Sequence, residues 1–299
     1  MVRFTMADFI SRILFIPFCL FYETSIIYAY IYGYIKYIKH TFDNKVNSYW
    51  IWSETCVNFA GCKFVLIKDS APLYIDKKKR CVFLLNHRDM FDFPIDCYLT
   101  GGSGMFIARY INMFVFPLQC IYTYITNTVY YFKRDAVYDK ELFNKNVYNN
   151  LLISNCININ IYPEGTRIQS DNIVPIKKGA IHLSWKYKMC AQIIITRNKE
   201  MVFNIKKIIF NYGVKLYCFR SEPIDPNNFD SFDEFSDYVQ NIWKKSWNTV
   251  YGKKESELIV EPLIVKPFLY PLKVFDYFMN NIINLLIFGY LFYTWLYIN

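Results

Sequence analysis

Short apolar runs alternate with helical stretches between about residues 81 and 217, a pattern that is typical of an α/β fold. Most of these runs are continuously apolar, as expected for strands that are covered on both faces. The predicted strands are Cys81–Leu85, Met105–Ala108, Val129–Phe132, Ile157–Tyr162, Gln192–Thr196 and Lys207–Phe219. The sequence therefore predicts a central, mostly parallel sheet flanked by helices.

Two of the helical stretches have clear signals. In Asp139–Ser154 the apolar residues recur at helical spacing. The segment Ser231–Glu234 is a capping box, which predicts an amphipathic helix that extends to about Trp247. The sequence has no internal repeat and no long Gly/Ser linker, so these elements are predicted to form one body.

Two longer apolar segments lie towards the ends of the chain. Ile282–Ile298 has 17 residues without a charge, near the short end of the range for a membrane-spanning helix, and a buried core helix is the alternative. Ile13–Ile35 is long enough to span a membrane but contains Pro17 and Glu23. Because a carboxylate within the bilayer is costly, a bent or interfacial helix pair competes with a straight span.

The composition strengthens the membrane prediction. Hydrophobic residues make up 54% of the chain and aromatic residues 20%, more than a water-soluble chain usually carries. We expect an integral membrane protein of the endoplasmic reticulum. Its predicted parts are an N-terminal membrane segment over residues 1–45, an α/β domain over residues 46–265 and a C-terminal transmembrane anchor over residues 266–299.

The formal charge of +9 adds a preference for anionic partners. Part of this charge lies in the run Lys77–Arg80, for which a solvated loop and a contact with an anionic membrane surface are both reasonable interpretations. No nucleic-acid recognition module accompanies the charge, so nucleic acid is not expected as a partner. The nine cysteines are scattered and do not cluster with the three histidines, so no metal site is expected.

Candidate chemistry begins at the end of the first predicted strand, where the sequence is FLLNHRDMFDFP. His87 follows that strand, at the edge where open α/β sheets bind ligands. Asp92, with Pro94 behind it, predicts a helix start with Asp92 as the N-cap. A turn between the two would let the carboxylate orient the imidazole for general-base catalysis. The alternative is a turn histidine beside a capping aspartate, and the local sequence alone favours it.

A second group of polar residues follows the strand that ends at Tyr162. The turn after it presents Glu164, Gly165, Thr166 and Arg167. Glycine permits close approach of a ligand to the backbone, and arginine can hold a phosphate or carboxylate through two parallel hydrogen bonds. An ordinary surface turn with an ion pair is the alternative.

Basic residues also lie at the ends of other predicted strands and loops in the same region. Lys133 and Arg134 end one apolar run, and Lys177 and Lys178 precede Gly179. Cations at several strand ends, in a chain with apolar membrane segments, predict a site for an anionic headgroup attached to a hydrocarbon chain.

The order of these motifs resembles the glycerolipid acyltransferase family, which includes the lysophosphatidic acid (1-acylglycerol-3-phosphate) acyltransferases. The family's Asn-His-x4-Asp motif is similar to Asn86–Asp92, its second motif to Thr128–Arg134, and its Glu-Gly-Thr-Arg motif to Glu164–Arg167. The stretch Lys177–Ala180 follows in the expected place. The resemblance covers about residues 81–200.

The resemblance implies transfer of a fatty acyl group from acyl-CoA, a co-substrate rather than a bound cofactor, to a hydroxyl of a lysophospholipid or glycerol phosphate. His87 would be the catalytic base and Asp92 would orient it. The residues that the resemblance implies for acceptor binding are Arg134, Glu164, Gly165, Thr166, Arg167, Lys178 and Gly179. Arg88 and Asp89 would be spacers, and no metal would be required.

Departures from the family pattern leave the acceptor open. Thr128 replaces a frequent glycine, Tyr131 replaces the usual phenylalanine, and the strand Gln192–Thr196 lacks the expected proline. The Phe-Lys-Arg form of the second motif is similar to the branch with lysocardiolipin and lysophosphatidylinositol acyltransferases. The alternatives are a CoA-independent phospholipid–lysophospholipid transacylase and a non-catalytic lipid-binding membrane protein.

Overall fold

The computed structural model of the chain describes residues 6–39, 48–76, 78–133, 139–154 and 156–265, together with positions 286, 289, 290 and 293. Apart from these four positions, the predicted C-terminal anchor lies outside the described residues. Arg134 also lies outside them.

The α-helices and strands are named in chain order. Within the described residues the helices are α1 (Met6–Ile13), α2 (Phe15–Lys39), α3 (Ser48–Phe59), α4 (Asp92–Leu99), α5 (Asn112–Val115), α6 (Pro117–Ile125), α7 (Lys140–Ile153), α8 (Lys178–Lys186), α9 (Lys199–Val202) and α10 (Phe232–Tyr251). The strands are β1 (Lys63–Ile67), β2 (Cys81–Leu85), β3 (Gly104–Arg109), β4 (Val129–Phe132), β5 (Asn158–Ile161), β6 (Cys190–Arg197), β7 (Phe203–Asn204), β8 (Ile209–Phe210), β9 (Lys215–Arg220) and β10 (Val260–Pro262).

Eight of these described strands form the central sheet, in the order β10-β1-β9-β6-β2-β5-β3-β4. The pairs β1–β9, β2–β6, β2–β5, β3–β5 and β3–β4 are parallel, whereas β1–β10 and β6–β9 are antiparallel. The predicted α/β class with a mostly parallel central sheet is therefore confirmed.

The central strand β2 is apolar throughout because both of its faces are covered. Alternate side chains of a strand point to opposite faces of the sheet. Cys81, Phe83 and Leu85 pack towards α2, α3 and α4, whereas Val82 and Leu84 pack towards α7, α8 and α10. All five are fully buried, and each large apolar side chain contributes roughly 1.5–3 kcal/mol through burial. Helices on both faces thus fix the strand whose carboxyl end carries His87.

Most predicted elements lie where the sequence placed them. Asp139 caps α7 through Glu141 N and Leu142 N, and Ser231 caps α10 by accepting from Glu234 N. The single strand predicted over Lys207–Phe219 is wrong, because a turn separates β8 from β9 and the two strands belong to different sheets. Gly213 lies in this turn with φ +79°, which glycine adopts without strain. The edge strands β1 and β10 were not predicted.

The N-terminal helix α2 packs one face against the α/β domain. Ile10–Ile27 is long and apolar enough to cross a membrane, by length and composition. However, Phe18, Tyr22 and Ile26 are buried by the domain. Glu23 accepts a hydrogen bond from Leu118 N at 2.6 Å, at the first turn of α6. The acidic residue that seemed unsuited to an apolar helix therefore joins α2 to α6.

Candidate active site

The site is built on the carboxyl end of β2, and Asn86 fixes where that strand ends. Its side chain donates to Thr196 O and accepts from Thr196 N, both at 2.9 Å. Asn86 is completely buried, so these two bonds extend the β2–β6 pairing by one side chain. The next residue, His87, is thereby held at the edge of the sheet.

His87 and Asp92 form the pair that the motif predicted. The distance from His87 Nδ1 to Asp92 Oδ2 is 2.8 Å. Asp92 is the first residue of α4, and Phe91 is the N-cap, so the prediction of a helix start is confirmed but its assignment of the N-cap is wrong. Asp92 does not cap the helix because its Oδ2 atom points back towards the preceding turn. There it accepts hydrogen bonds from the backbone N–H groups of Arg88 and Asp89, in addition to its contact with His87.

The environment keeps the imidazole neutral and the carboxylate charged. Burial lowers the pKa of His87 below its ordinary value, although the neighbouring Asp92 acts in the opposite direction. Burial also tends to raise the pKa of Asp92, but the charge of Lys199 and the contact with His87 outweigh it and lower that pKa. A neutral imidazole beside an ionised carboxylate is the state that a general base requires.

The loop after β5 packs directly on His87. His87 N donates to Glu164 Oε2 at 2.6 Å, and His87 O accepts from Ile168 N at 2.8 Å. The imidazole stacks on the Tyr162 ring with 4.1 Å between ring centroids. Burial raises the pKa of Glu164 to about 8, against the opposing effect of the His87 N–H. The first and third motifs, 77 residues apart, thus form one structural unit.

A cavity of about 580 Å³ opens beside His87 and combines two kinds of surface. Basic side chains line one part of it and apolar side chains another. The cations are Arg109, Arg167, Lys177 and Lys206, and the apolar residues include Phe93, Ile107, Ala108, Phe132, Phe143 and Leu183. Gly165, Thr166 and Gly179 also line this cavity. It is suited to a molecule with an anionic group and a hydrocarbon part.

The cations around the cavity differ in part from those predicted. Arg167 donates to Met90 Sδ at 2.9 Å. Gly165 has φ +71°, and a side chain there would overlap the Lys177 ammonium. Lys178, which the sequence assigned to the site, instead pairs with Asp233 at 3.3 Å, and its neighbour Lys177 lines the cavity. The reason is that the chain enters α8 at this point, which turns consecutive side chains in different directions.

Comparison with known proteins decides the class of the domain. The family model described as "Acyltransferase" matches residues 67–203. An acyltransferase-family domain therefore occupies this part of the chain. The resemblance seen in the motifs is confirmed at this level, and the matched region contains His87, Asp92 and the loop after β5.

A solved structure shares the fold of this chain. It is the 1-acyl-sn-glycerophosphate (LPA) acyltransferase PlsC from Thermotoga maritima, with a TM-score of 0.64 and 16% sequence identity. The match covers 84% of this chain and 100% of that one. No curated protein matches the chain in a sequence comparison.

The role of Arg88 and Asp89 as spacers in the acyltransferase motif is wrong. Arg88 is fully buried, and its guanidinium contacts Glu200 at 2.7 Å, Ser170 O at 2.6 Å and Asp171 at 3.0 Å. Asp89 accepts from Gln169 Nε2 at 2.6 Å. Both residues therefore fasten the loop after β5 to the His87 turn. Their partners lie more than 75 residues away along the chain, so no local signal reveals them.

Arg88→Met is expected to lower the free energy of unfolding by about 3 kcal/mol, because it leaves Glu200 without its buried partner. Urea titration of the purified protein in detergent measures this change. Lys79→Met is the matched control, since it breaks the partly exposed pair with Asp225 and should cost below about 1 kcal/mol. Equal losses in the two variants would contradict the buried role of Arg88.

Three further residues near His87 were also missed: Tyr162, Asp96 and Lys199. Asp96 lies four residues after Asp92 on α4, which places the two carboxylates on the same side of the helix. Lys199 follows β6 at the same sheet edge as His87. The signals for Asp96 and Tyr162 are the helix predicted after Asp92 and the predicted strand that ends at Tyr162. The signal for Lys199 is the predicted strand Gln192–Thr196, which ends three residues before it.

Proposed function

We propose that the protein transfers a fatty acyl group from acyl-CoA to a hydroxyl of a lysophospholipid, such as lysophosphatidic acid, or of glycerol phosphate. This is a step of phospholipid synthesis or remodelling. The observation that carries the proposal is the His87–Asp92 pair on a cavity with both basic and apolar walls. The structurally similar PlsC is named for its activity on a lysophospholipid that bears a phosphate, which supports the same substrate class.

The chemistry follows from the orientation of His87. Its Nδ1 is bonded to Asp92, so Nε2 is the ring nitrogen available to a substrate in the cavity. Nε2 takes the proton from the acceptor hydroxyl as its oxygen attacks the thioester carbonyl. When the tetrahedral intermediate collapses, the C–S bond breaks and the CoA sulfur leaves with the proton from the imidazolium. Asp92 stabilises that imidazolium, and base catalysis of this kind typically contributes roughly 10²- to 10⁴-fold.

We assign the phosphate of the acceptor to the basic wall of the cavity and its hydrocarbon part to the apolar wall. Arg167 and Lys177 lie beside Gly165, where the backbone permits close approach, and their charges suit a phosphate. Glu164 accepts a hydrogen bond from His87 N. We therefore assign it the role of positioning the His87 turn. Thr166 and Gly179 complete the same wall. The apolar residues of β3, β4 and α7 would contact hydrocarbon.

Arg167→Ala is expected to raise KM for a phosphate-bearing acceptor roughly 10- to 100-fold, since a hydrogen bond to a charged group is worth about 1.5–3 kcal/mol. Lys177→Ala should act in the same direction. Lys178→Ala is the matched comparison, because its ammonium pairs with Asp233 outside the cavity, and KM should change less than about threefold. Initial rates over a range of acceptor concentrations measure all three. A larger effect of Lys178→Ala than of Lys177→Ala would contradict this placement.

We also propose that the protein works at a bilayer surface, with the endoplasmic reticulum as the expected membrane. Exposed apolar side chains lie at the end of α1, at the start of α2 and along α5 and α6. Phe114, Ile121 and Tyr124 are 75%, 57% and 66% exposed, and a surface of this kind is typical of a membrane or partner contact. The Glu23–Leu118 contact joins α2 to α6, so the two apolar surfaces belong to one unit.

A fluorophore attached at Phe114→Cys is expected to be quenched by lipids that carry a spin label on the acyl chain. The reason is that Phe114 lies on the proposed bilayer surface. Leu142→Cys on α7 is the matched control, since Leu142 is also apolar and 53% exposed but lies on a different layer. Wild-type protein taken through the same labelling gives the background from native cysteines. Equal quenching at both positions would contradict the proposed surface.

The decisive experiment gives labelled acyl-CoA and a panel of lysophospholipids and glycerol phosphate to membranes that contain either wild type or His87→Ala. Acylation of one acceptor by wild type alone supports the proposal and identifies the headgroup. Parallel reactions without acyl-CoA, with a labelled phospholipid as donor, test the transacylase alternative. If wild type acylates no acceptor above the variant from either donor, the enzyme proposal fails and the lipid-binding alternative remains.

A further inference from the structure

A buried ion pair lies beneath His87, and the proposed reaction does not use it. Lys199 and Asp96 are both completely buried. The Lys199 ammonium donates to Asp96 Oδ2 at 2.8 Å and to Asp96 Oδ1 at 3.0 Å. Removing two charges from water costs several kcal/mol for each ion, so a buried pair of this kind is weak evidence of added stability. The pair therefore calls for another explanation.

Both members of the pair contact the immediate surroundings of His87. Lys199 donates to the backbone oxygen of Asn86, the residue before His87. Asp96 accepts from the Tyr162 hydroxyl at 2.8 Å, and the Tyr162 ring stacks on the imidazole. The pair thus holds both the backbone on one side of His87 and the ring against which the imidazole lies.

The short helix α9 holds the His87 turn from both sides. Its first residue, Lys199, bonds to Asn86, and its second residue, Glu200, bonds to Arg88. His87 is the residue between these two anchors. A shift of α9 relative to β2 would therefore move the base itself.

We propose that Lys199 and Asp96 are positioning residues, which set the orientation of His87 and the electrostatic field around it. This inference rests on the proposed function, in which His87 is the base. Neither residue touches the cavity, so neither is expected to contact substrate. The alternative is that the pair only stabilises the fold.

All charges near the imidazole contribute to the electrostatic field at His87. Asp96 lies one helical turn beyond Asp92, so Lys199 is a cation shared by two carboxylates of α4. A positive charge near an imidazole disfavours its protonation, and a negative charge favours it. The other charged and titratable groups around this site are Arg88, Asp89, Tyr162, Glu164, Arg167 and Glu200.

The two single substitutions should differ in their electrostatic effect on His87, although both break the same ion pair. Lys199→Met removes a cation that lowers the pKa of His87, whereas the isosteric Asp96→Asn retains that cation and takes away its partner. We expect kcat to fall roughly 10-fold or more in both, because small displacements of a catalytic group are costly. The pH at which kcat/KM is half-maximal on the acid side should be higher in Lys199→Met than in Asp96→Asn, by about one pH unit. A purely structural pair predicts the same pH in both.

The pKa of His87 can also be measured without an activity assay. NMR titration of protein labelled at histidine Cε1, with the His87 signal identified by its loss in His87→Ala, gives the pKa of His87 directly. It should be higher in Lys199→Met than in Asp96→Asn. If Lys199→Met fails to fold, Lys199→Arg, which retains the charge, takes its place and should leave the His87 pKa above that of Asp96→Asn. Equal or reversed pKa values in folded variants would overturn the proposal.

The two proposals fail in different ways. If wild type acylates no lipid, the proposed function fails, whereas the order of the His87 pKa values still tests the field around His87. If wild type is active and His87→Ala is not, but both single variants retain wild-type kcat and a wild-type pH profile, the proposed function stands and the positioning role is overturned.

Discussion

His87→Ala is expected to lower kcat for acyl transfer roughly 10²- to 10⁴-fold, the usual contribution of a general base. The structure gives the reason. The imidazole lines the cavity, is bonded through Nδ1 to a fully buried carboxylate and stacks on Tyr162. Alanine removes the proton acceptor but keeps the backbone N–H that donates to Glu164. Acceptor binding should therefore persist, and KM should change much less than kcat.

The pH profile of wild type provides a second check on the same residue. Since burial lowers the pKa of His87 from 6.5, the imidazole stays neutral to a lower pH than an exposed histidine does. A base acts in its neutral form, so kcat/KM should fall as the pH drops through this lowered value. The half-maximal point on the acid side is therefore expected below pH 6.5. A half-maximal point above it would contradict the assignment of His87 as the base.

His182→Ala is the matched control, since it removes the other histidine in the described part of the chain. His182 lies on α8, where it contacts Asn144 and the Phe232 ring. It does not line the cavity, and its loss should change kcat less than about threefold, as for a surface substitution away from special features. A similar loss in both histidine variants would show that the assay reports folding rather than base catalysis.

The sequence predicted the elements of the site because strand ends and turn residues are locally encoded. The strand Cys81–Leu85 was predicted with its observed bounds, and the helix start near Asp92 was predicted correctly. The motif resemblance then placed the loop of Glu164–Arg167 in the same site. These signals depend on apolar periodicity and turn chemistry within a few residues, which a sequence shows directly.

The direction of individual side chains could not be predicted in the same way. Lys177 and Lys178 are adjacent and chemically identical, yet one lines the cavity and the other pairs with Asp233. Arg88 was predicted to be a spacer but is buried and bonded to Ser170 and Glu200, which are 82 and 112 residues away. Such contacts depend on how β5, β6 and their following loops meet, which is a property of the folded sheet.

The site therefore combines locally encoded motifs with contacts that only the fold creates. In the proposed mechanism His87 and Asp92 supply the reacting groups. Arg88, at one of the unspecified positions of the first motif, and the two side chains of α9 hold them in place. Substitutions in the two groups should be distinguishable. Loss of a reacting group lowers kcat without a large change in stability, whereas loss of Arg88 lowers stability as well.

Asp92→Asn is expected to lower kcat roughly 10²- to 10⁴-fold while preserving the fold, as loss of the carboxylate does in other His–carboxylate pairs. One oxygen of Asp92 accepts from His87, Arg88 and Asp89, and the other is buried without a hydrogen bond within the described residues. Asparagine can keep its oxygen towards these donors and place its amide at the second position. The geometry is then retained, but the charge that stabilises the imidazolium is lost.

The pH profile separates this loss of charge from a loss of structure. Because Asp92 raises the pKa of His87, against the larger effect of burial, its replacement should lower that pKa further. The acid side of the kcat/KM profile should then move to lower pH even as kcat falls. Asp89→Asn is the matched control, since Asp89 binds Gln169 rather than His87, and its loss should shift the pH profile much less than Asp92→Asn does. A decrease in kcat for Asp92→Asn with an unshifted profile would mean that Asp92 acts on the shape of the turn and not on the charge of the base.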